Sequence, residues 1–418
     1  MQTRIDEATV AGTDARVAEA ILRSCVHCGF CNATCPTYRL LGNELDGPRG
    51  RIYLMKQMLE GVPVSGTTVR HLDRCLTCRA CETTCPSGVA YSSLLDIGRS
   101  RAEQQYRRPW RERVLRRLLR AVLPSTQRVR LALRLAPFLR GMMPAALAAA
   151  LPARRSRAAT GAEWPRPRHA RRIIILQGCV QTATHPGIDA AAARVLDRRG
   201  ISLLRLADGG CCGAVDHHLA AAEAARSRMI RNLNAWWPAI EAGAEAIIST
   251  SSACTAMLKD YGRLLGSDPE HGQRALRTSG MVRDIGEVLA SLPAPAAQDP
   301  SRGAGSSPMR IAYHAPCSLQ HGLRAQDAVA SALTACGYEL EPVRDAHLCC
   351  GAAGTYSILQ PELSTQLRRD KIAALQAGNP SAIATANIGC LIHLVQAAAV
   401  PVRHWIELVD EAERNAQR

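Results

Sequence analysis

CVHCGFCNATCP at residues 25–36 and CLTCRACETTCP at 75–86 share one layout, with cysteines spaced by three, three and four residues and a proline closing each run. The second stretch repeats the first position for position. Pro36 and Pro86, after the last cysteine of each run, end the local structure there.

Thiolate is a soft ligand, and the C-x2-C-x2-C spacing brings three sulfurs around one face of a metal centre. The following x3-C-P turns the chain away, so the fourth sulfur points to a different centre. In two-cluster ferredoxins of this pattern that last cysteine ligates the other cluster. The spacing therefore assigns Cys25, Cys28, Cys31 and Cys85 to one [4Fe–4S] cluster, and Cys75, Cys78, Cys81 and Cys35 to a second. Structural zinc fits less well, because it takes four ligands from two C-x2-C pairs separated by a longer loop. PRGRIYLMKQMLEG, between the runs, reads as a helix. The expectation for residues 1–98 is a helix-rich two-cluster module.

The rest of the 418-residue chain is long enough for further domains, and 47% hydrophobic against 21% charged residues reads as globular. Seventeen cysteines, an acidic N-terminus without an apolar run and the lack of a long apolar segment lead us to expect the reducing cytosol and metal or redox chemistry. The closest approach to a span, GMMPAALAAALP at 141–152, is short and broken by proline. The net charge of +16 is local: residues 99–172 hold 20 Arg against Glu103, Glu112 and Glu163, which leaves the remainder close to neutral.

From Arg171 the text duplicates itself. RIIILQGCV (172–180) and MRIAYHAPC (309–317) read as buried strands leading to Cys179 and Cys317, and 31 residues separate each of those cysteines from a CCG, at Cys211-Cys212 and Cys349-Cys350. Between them lie a helix and a second strand (ISLLRL, YELEPV). A third strand leads to Cys254 in one copy and Cys390 in the other. Strands alternating with helices predict two α/β units with parallel sheets, at 171–291 and 309–418, with each cysteine just past a strand's carboxyl end, where such sheets place ligands. LPAPAAQDPSRGAGSSP (292–308) reads as the linker between them.

Each unit gathers four thiols: Cys179, Cys211, Cys212 and Cys254, then Cys317, Cys349, Cys350 and Cys390. A metal or Fe–S centre, zinc or a packing role all remain open for them. His347, His217 and His218 are candidate additional ligands, and Cys336 reads as a small buried apolar residue. The Arg-rich connector (99–170) contains RERVLRRLLRAVL, with Val114, Leu115, Leu118, Leu119 and Val122 on one face and arginines beside it. RVRLALRLAPFLRGMM is similar but interrupted at Pro137. A solvated or partner-docking linker, a helix on an anionic membrane surface and a nucleic-acid patch are its three readings; scarce aromatics disfavour the last.

CVHCGFCNATCPTYRLLGNELDGPRGRIYLMKQMLEG and HLDRCLTCRACETTCPSGV, with GCCGAVDHHL, NAWWPAIEAGAEAI, HLCCGAAGTY, TANIGCLIHL and VRHWIEL, resemble the iron–sulfur subunit of bacterial glycolate oxidase nearly end to end. The resemblance implies an electron-transfer subunit with two [4Fe–4S] clusters at the eight cysteines above. It would partner FAD-containing subunits that oxidise glycolate, and often D-lactate, and pass electrons to a quinone or other acceptor at the cytoplasmic face of the inner membrane. Electron-transfer subunits of anaerobic glycerol-3-phosphate dehydrogenase and heterodisulfide reductase-like complexes are the related alternative. The CCG units resemble those of heterodisulfide reductases, whose motif closes with C-x2-C and binds unusual clusters; here Ser251 and Asn387 stand where the first cysteine of that pair would be. No GxGxxG follows a strand, so a flavin site is not expected on this chain.

Overall fold

The computed structural model describes residues 1–5, 12–139, 163–293 and 308–417. The 141–152 stretch and most of the 292–308 linker lie outside them.

The N-terminal module is helical. Helices Gly12–Ser24, Pro48–Leu59, Gly66–Asp73 and Tyr91–Gln105 bury one core of Leu22, Ile52, Met55, Met58, Leu72, Leu94 and Leu95. Pro48 begins its helix at the first turn, where its missing N–H is not needed. Ser65 caps the third helix by accepting the Thr68 N–H at 3.1 Å.

Two connector helices follow, Trp110–Val122 and Thr126–Leu139. The second runs through Pro137 rather than stopping there, which corrects the expected interruption; the proline falls within its last turn. In the first, Arg116 and Leu119 face the protein while Trp110, Val114 and Leu118 face out. The apolar stripe read from the sequence is therefore split. Much of the connector's charge is structural: Arg108 is buried against Asp73, Glu103 and Glu112, Arg116 binds Asp73 at 3.0 Å, and Arg120 binds Asp216 at 3.0 Å.

Each C-terminal unit is a four-stranded parallel sheet. The first comprises β1 (Arg171–Ile175), β2 (Ile201–Arg205), β3 (Ala246–Ser249) and β4 (Val282–Asp284), in the order β2-β1-β3-β4. The second repeats it with β5 (Arg310–His314), β6 (Glu339–Glu341), β7 (Ala382–Thr385) and β8 (Val402–His404), in the order β6-β5-β7-β8. The fourth strands add to the three read from the sequence. Each runs straight into a helix capped by the strand's last residue, since Asp284 accepts from the Gly286 N–H at 2.9 Å and His404 from the Ile406 N–H at 3.3 Å.

β1 shows why these runs are apolar throughout. Ile173 and Ile175 enter a core shared with the second unit, through Ile311, Val329, Trp405 and Ile406, while Ile174 enters a separate core with Leu233, Trp236 and Ile247 on the opposite face. Charge ties the two units at the rim: Arg194 and Arg198 bind buried Asp410 at 2.6 and 2.9 Å. The strand order reverses on either side of β1, which opens a crevice at the carboxyl ends of β1 and β3. Cys179 and Cys254 lie at that edge.

Candidate metal centres

The two cysteine runs fold alike. His27 and Gly29 in the first, and Thr77 and Arg79 in the second, occupy matched positions and all have left-handed backbone, at φ 60°, 87°, 55° and 60°. For a residue other than glycine that conformation costs on the order of 1 kcal/mol. It is held here by surroundings: Arg79 forms an ion pair with Asp260 of the first CCG unit, and Arg99 clamps the loop by donating to the Leu72 and Cys75 carbonyls at 2.9 and 2.8 Å. Such a loop turns backbone N–H groups toward sulfur, as the Thr77 N–H does toward Cys75 Sγ at 3.5 Å.

Two small cavities result. Cys25, Cys28, Cys31, Cys81 and Cys85 line one, and Cys35, Cys75, Cys78 and Cys81 line the other, so Cys81 stands between the two. Burial, followed by the neighbouring Cys25, Cys85 and Cys28, pushes the Cys31 thiol up to about 11. Burial does the same, more strongly, to Cys78 and Cys81. Crowded thiols resist ionising on their own, and a bound cation is what makes such a set into thiolate ligands. The donor set thus fits iron–sulfur clusters.

Beside the second cavity sits a fully buried guanidinium. Arg51 donates from Nε to the His71 carbonyl at 2.7 Å and from Nη2 to Thr37 Oγ1 at 3.0 Å, and its Nη1 lies 3.9 Å from Cys35 Sγ. Asp46 balances it from 3.7 Å and is itself held by His71 Nδ1 at 2.8 Å and Arg74 Nη1 at 2.9 Å. Burial alone would lower the Arg51 pKa; Cys75, Tyr91, Cys35 and Asp46 together raise it above its ordinary value. The Tyr91 hydroxyl donates to Cys75 Sγ at 3.7 Å. Groups of this kind tune a cluster.

Matched positions in the two runs face different worlds. Val26 and Phe30 are 68% and 63% exposed, whereas their counterparts Leu76 and Ala80 are 5% and 1% exposed. Leu76 packs with Cys349, Tyr356 and Leu367 of the second CCG unit.

The CCG thiols also gather. In the first unit Cys179, Cys211, Cys212 and Cys254 form a chain of sulfur contacts, in which hydrogen bonds from the Cys179 and Cys212 thiols lower Cys211 while raising their own donors. In the second, Cys317 lies 3.9 Å from Cys349, which contacts Cys350, which contacts Cys390. The glycine of each motif has φ near +90°, at 90° for Gly213 and 89° for Gly351, and directs its N–H at the first cysteine of the pair at 3.5 and 3.4 Å. A Cβ on Gly351 would stand 2.6 Å from the Ser364 carbonyl oxygen, so no other residue fits.

Ser251 and Asn387 meet each other: Ser251 Oγ donates to Asn387 Oδ1 at 2.7 Å, and Asn387 Nδ2 donates to Cys390 Sγ at 3.4 Å. An amide and a hydroxyl thus bridge the units where the two closing cysteines would have stood.

The histidines sort differently from expectation. His217 and His218 join Asp96 of the N-terminal module rather than the first thiol set, with His217 Nε2 3.2 Å from Asp96 Oδ2. His347 is half-buried, and its carbonyl accepts from His321 Nε2 at 3.0 Å. The histidine that does approach sulfur is His314, buried at the end of β5 with ligand atoms within 4.8 Å of Cys350 and Cys390. The sequence signal was YHAPC, a histidine three residues before Cys317 that Leu176 replaces in the first copy. Cys336 caps helix Gln326–Ala335 and packs on the shared core, half-buried rather than buried.

Two matched ferredoxin-type thiol loops joined to a duplicated cysteine-rich α/β unit define an iron–sulfur electron-transfer protein. A 4Fe-4S dicluster domain matches residues 21–89, and a cysteine-rich domain (CCG) matches 173–259 and again 311–395. The chain is 49% identical to the glycolate oxidase iron-sulfur subunit of Escherichia coli (strain K12), over 99% of each chain. It is 30% identical to the "Probable glycolate oxidase iron-sulfur subunit" of Bacillus subtilis (strain 168), over 91% of this chain and 89% of that one. It is also 24% identical to lactate utilization protein A of Shouchella clausii, over 58% of this chain and 99% of that one. The chain belongs to the family of glycolate oxidase iron–sulfur subunits.

Proposed function

We propose that this chain carries electrons in a complex that oxidises glycolate to glyoxylate, with D-lactate as a second substrate. Hydride leaves the substrate on an FAD-containing partner subunit. Cys25, Cys28, Cys31 and Cys85 hold one [4Fe–4S] cluster, and Cys35, Cys75, Cys78 and Cys81 hold the other. Such clusters supply one-electron transfer between the flavin and a quinone or other acceptor. The observation that supports this reading is the pair of cavities: Cys85 and not Cys35 lines the one with Cys25, Cys28 and Cys31, and Cys35 and not Cys85 lines the one with Cys75, Cys78 and Cys81, while Cys81 borders both.

The partner docks on the first run, where Val26, Phe30 and Tyr53 stay exposed and Cys28 reaches the surface. The covered counterparts in the second run argue for this, because the same loop face is buried wherever this chain has something to bury it with. The complex sits peripherally at the cytoplasmic face of the inner membrane. Among the described residues no helix is long and apolar enough to cross a membrane. The connector helices instead leave Trp110, Leu118, Leu131 and Phe138 exposed among arginines, the composition of an interfacial helix on anionic lipid.

The test is anaerobic purification with and without the flavoprotein partner. We expect about eight irons per chain, reduction of the chain by glycolate only when the partner is present, and loss of co-purification in a Val26→Asp/Phe30→Glu variant that keeps its iron. Zinc in place of iron, or glyoxylate formed by this chain alone with a dye acceptor, would overturn the proposal. Flotation with anionic but not neutral vesicles at low salt checks the membrane reading.

A further inference from the structure

A cavity of about 190 Å³ lies where the N-terminal module meets both CCG units. That is room for on the order of ten water molecules, the scale of a small organic ring. Its walls are mainly apolar, yet its two ends differ in chemistry. One end is sulfur: Cys78 of the second run faces Cys317 and Cys349 of the second CCG unit. The other is Asp96 with His217 and His218, contributed by the N-terminal module and the first CCG unit.

The polar end is organised. Arg263 Nη2 holds Asp96 Oδ2 at 3.0 Å, and the same oxygen pairs with His217 Nε2 at 3.2 Å. Burial alone would raise the Asp96 carboxyl, but the hydrogen bond from His217 and the charges of His217 and Arg263 hold it well below its usual range. His218 is exposed, and the surface it presents lines this cavity. The protein packed around it, then the charge of His217, lowers its imidazole and favours the neutral form, which keeps one N–H. Among the described residues its ring contacts the His217 ring, with centroids 5.4 Å apart, and no hydrogen bond from it to the chain is made.

We propose that this cavity binds the headgroup of a quinone, with a carbonyl oxygen on the His218 N–H and the ring between the apolar walls. A quinone is the acceptor class that needs both ends of such a site. Its reduction consumes two electrons and two protons per hydroquinone, one proton adding to each carbonyl oxygen. The electrons originate in the partner's reduced flavin, which rests on the reading given above, and the protons come from solvent through the His217–Asp96 pair. Arg116 lines the cavity from the first connector helix, whose Val114 and Leu118 face outward toward the proposed lipid surface.

Menadione, a small tail-free quinone, is the probe. Calorimetry on the anaerobically purified full chain should show one saturable site. His218→Ala should weaken it about tenfold, the loss of one good hydrogen bond. Ala253→Trp, which fills the cavity from an exposed position on its wall, should abolish it. Both variants, once reduced with dithionite, should keep their iron, their EPR signals and their reoxidation by ferricenium, an outer-sphere acceptor, while reoxidation by menadione slows at least as much as binding weakens. Non-saturable menadione binding, or binding unchanged in both variants, would overturn the site. A chain devoid of iron would instead sink the relay reading, and calorimetry on that chain would still decide the cavity.

Discussion

Replacing Arg51 by Met removes a positive charge from beside the second cluster site while keeping much of the side chain's volume. The guanidinium lies 3.9 Å from Cys35 Sγ, and metal lies about 2 Å beyond a ligating sulfur, so the charge acts over roughly 6 Å. At an effective dielectric between about 40 and 20 that is about 1.4 to 2.8 kcal/mol, or about 60 to 120 mV for a one-electron couple. Electrons enter a site more readily beside a cation, so the variant's second cluster should titrate lower by that amount. Asp46 does not cancel the change, because His71 and Arg74 still hold it. An EPR-monitored redox titration reads both clusters in one sample, and the first serves as internal control. Arg51→Lys separates charge from geometry: it keeps the cation, loses the fork to His71 and Thr37, and should move the potential by less than half as much. A shift below about 20 mV in folded Arg51→Met, with both clusters intact, would refute the argument.

Other expectations are independent of that one. Cys85→Ser should deplete the cluster held by the first run and Cys35→Ser the cluster held by the second, read as distinct losses of EPR signal; the reverse pattern would show that each run keeps its own fourth sulfur. Asp189 is buried, which raises it to about 6 despite donors from Gln181 and Thr250 at 2.6 Å. A carboxyl raised on folding contributes stability that is complete below its unfolded value near 4 and is lost as pH rises through about 6, worth about 3 kcal/mol here. The melting temperature of Asp189→Asn minus that of the parent should therefore grow more positive from pH 5 to pH 8, and a flat difference would contradict the burial argument. Gly351→Ala should destabilise the second CCG unit more than Gly213→Ala does the first, because the Ser364 carbonyl crowds only the former position, with 3.4 Å to the nearest atom at the latter; comparable melting temperatures would deny the crowding.

What could be read from the sequence was what is local. Three of the four cysteines assigned to each site lie within one turn of loop, so their spacing carries the geometry. A strand buried on both faces is an uninterrupted apolar run, as in RIIIL, and a duplicated unit announces itself by repeating. What could not be read depends on partners distant in sequence. The three-residue strands VRD and VRH are too short to mark by pattern and exist by pairing with β3 and β7, although the repeated VR before an apolar helix was a signal. Nothing local tells that Asp46 gathers Arg51, His71 and Arg74, or that His217 and His218 turn from the adjacent thiols to Asp96. The connector misled most. Its arginines read as a solvated flank, yet Arg108 and Arg116 lie buried against Asp73, because acids elsewhere made burial tolerable and pushed Val114 and Leu118 outward.

The duplication gives the proposed relay its direction. Two copies of one loop start with the same backbone and the same four sulfurs, so any difference between the sites must come from what surrounds them. The first keeps Cys28 and an apolar rim at the surface, within reach of another protein. The second is roofed by Leu76 packed on the second CCG unit, and it has Arg51 beside it and the interdomain cavity behind Cys78. Tunnelling needs proximity, and net flow needs a step downhill. Exposure supplies the first at the flavoprotein side, and a buried cation supplies the second on the way inward. If Arg51 sets that step, lowering it should leave equilibrium reduction of the first cluster untouched and slow only the transfer beyond it, which a stopped-flow trace of the two signals separates; equal slowing of both would mean that the charge governs docking or folding and not the gradient.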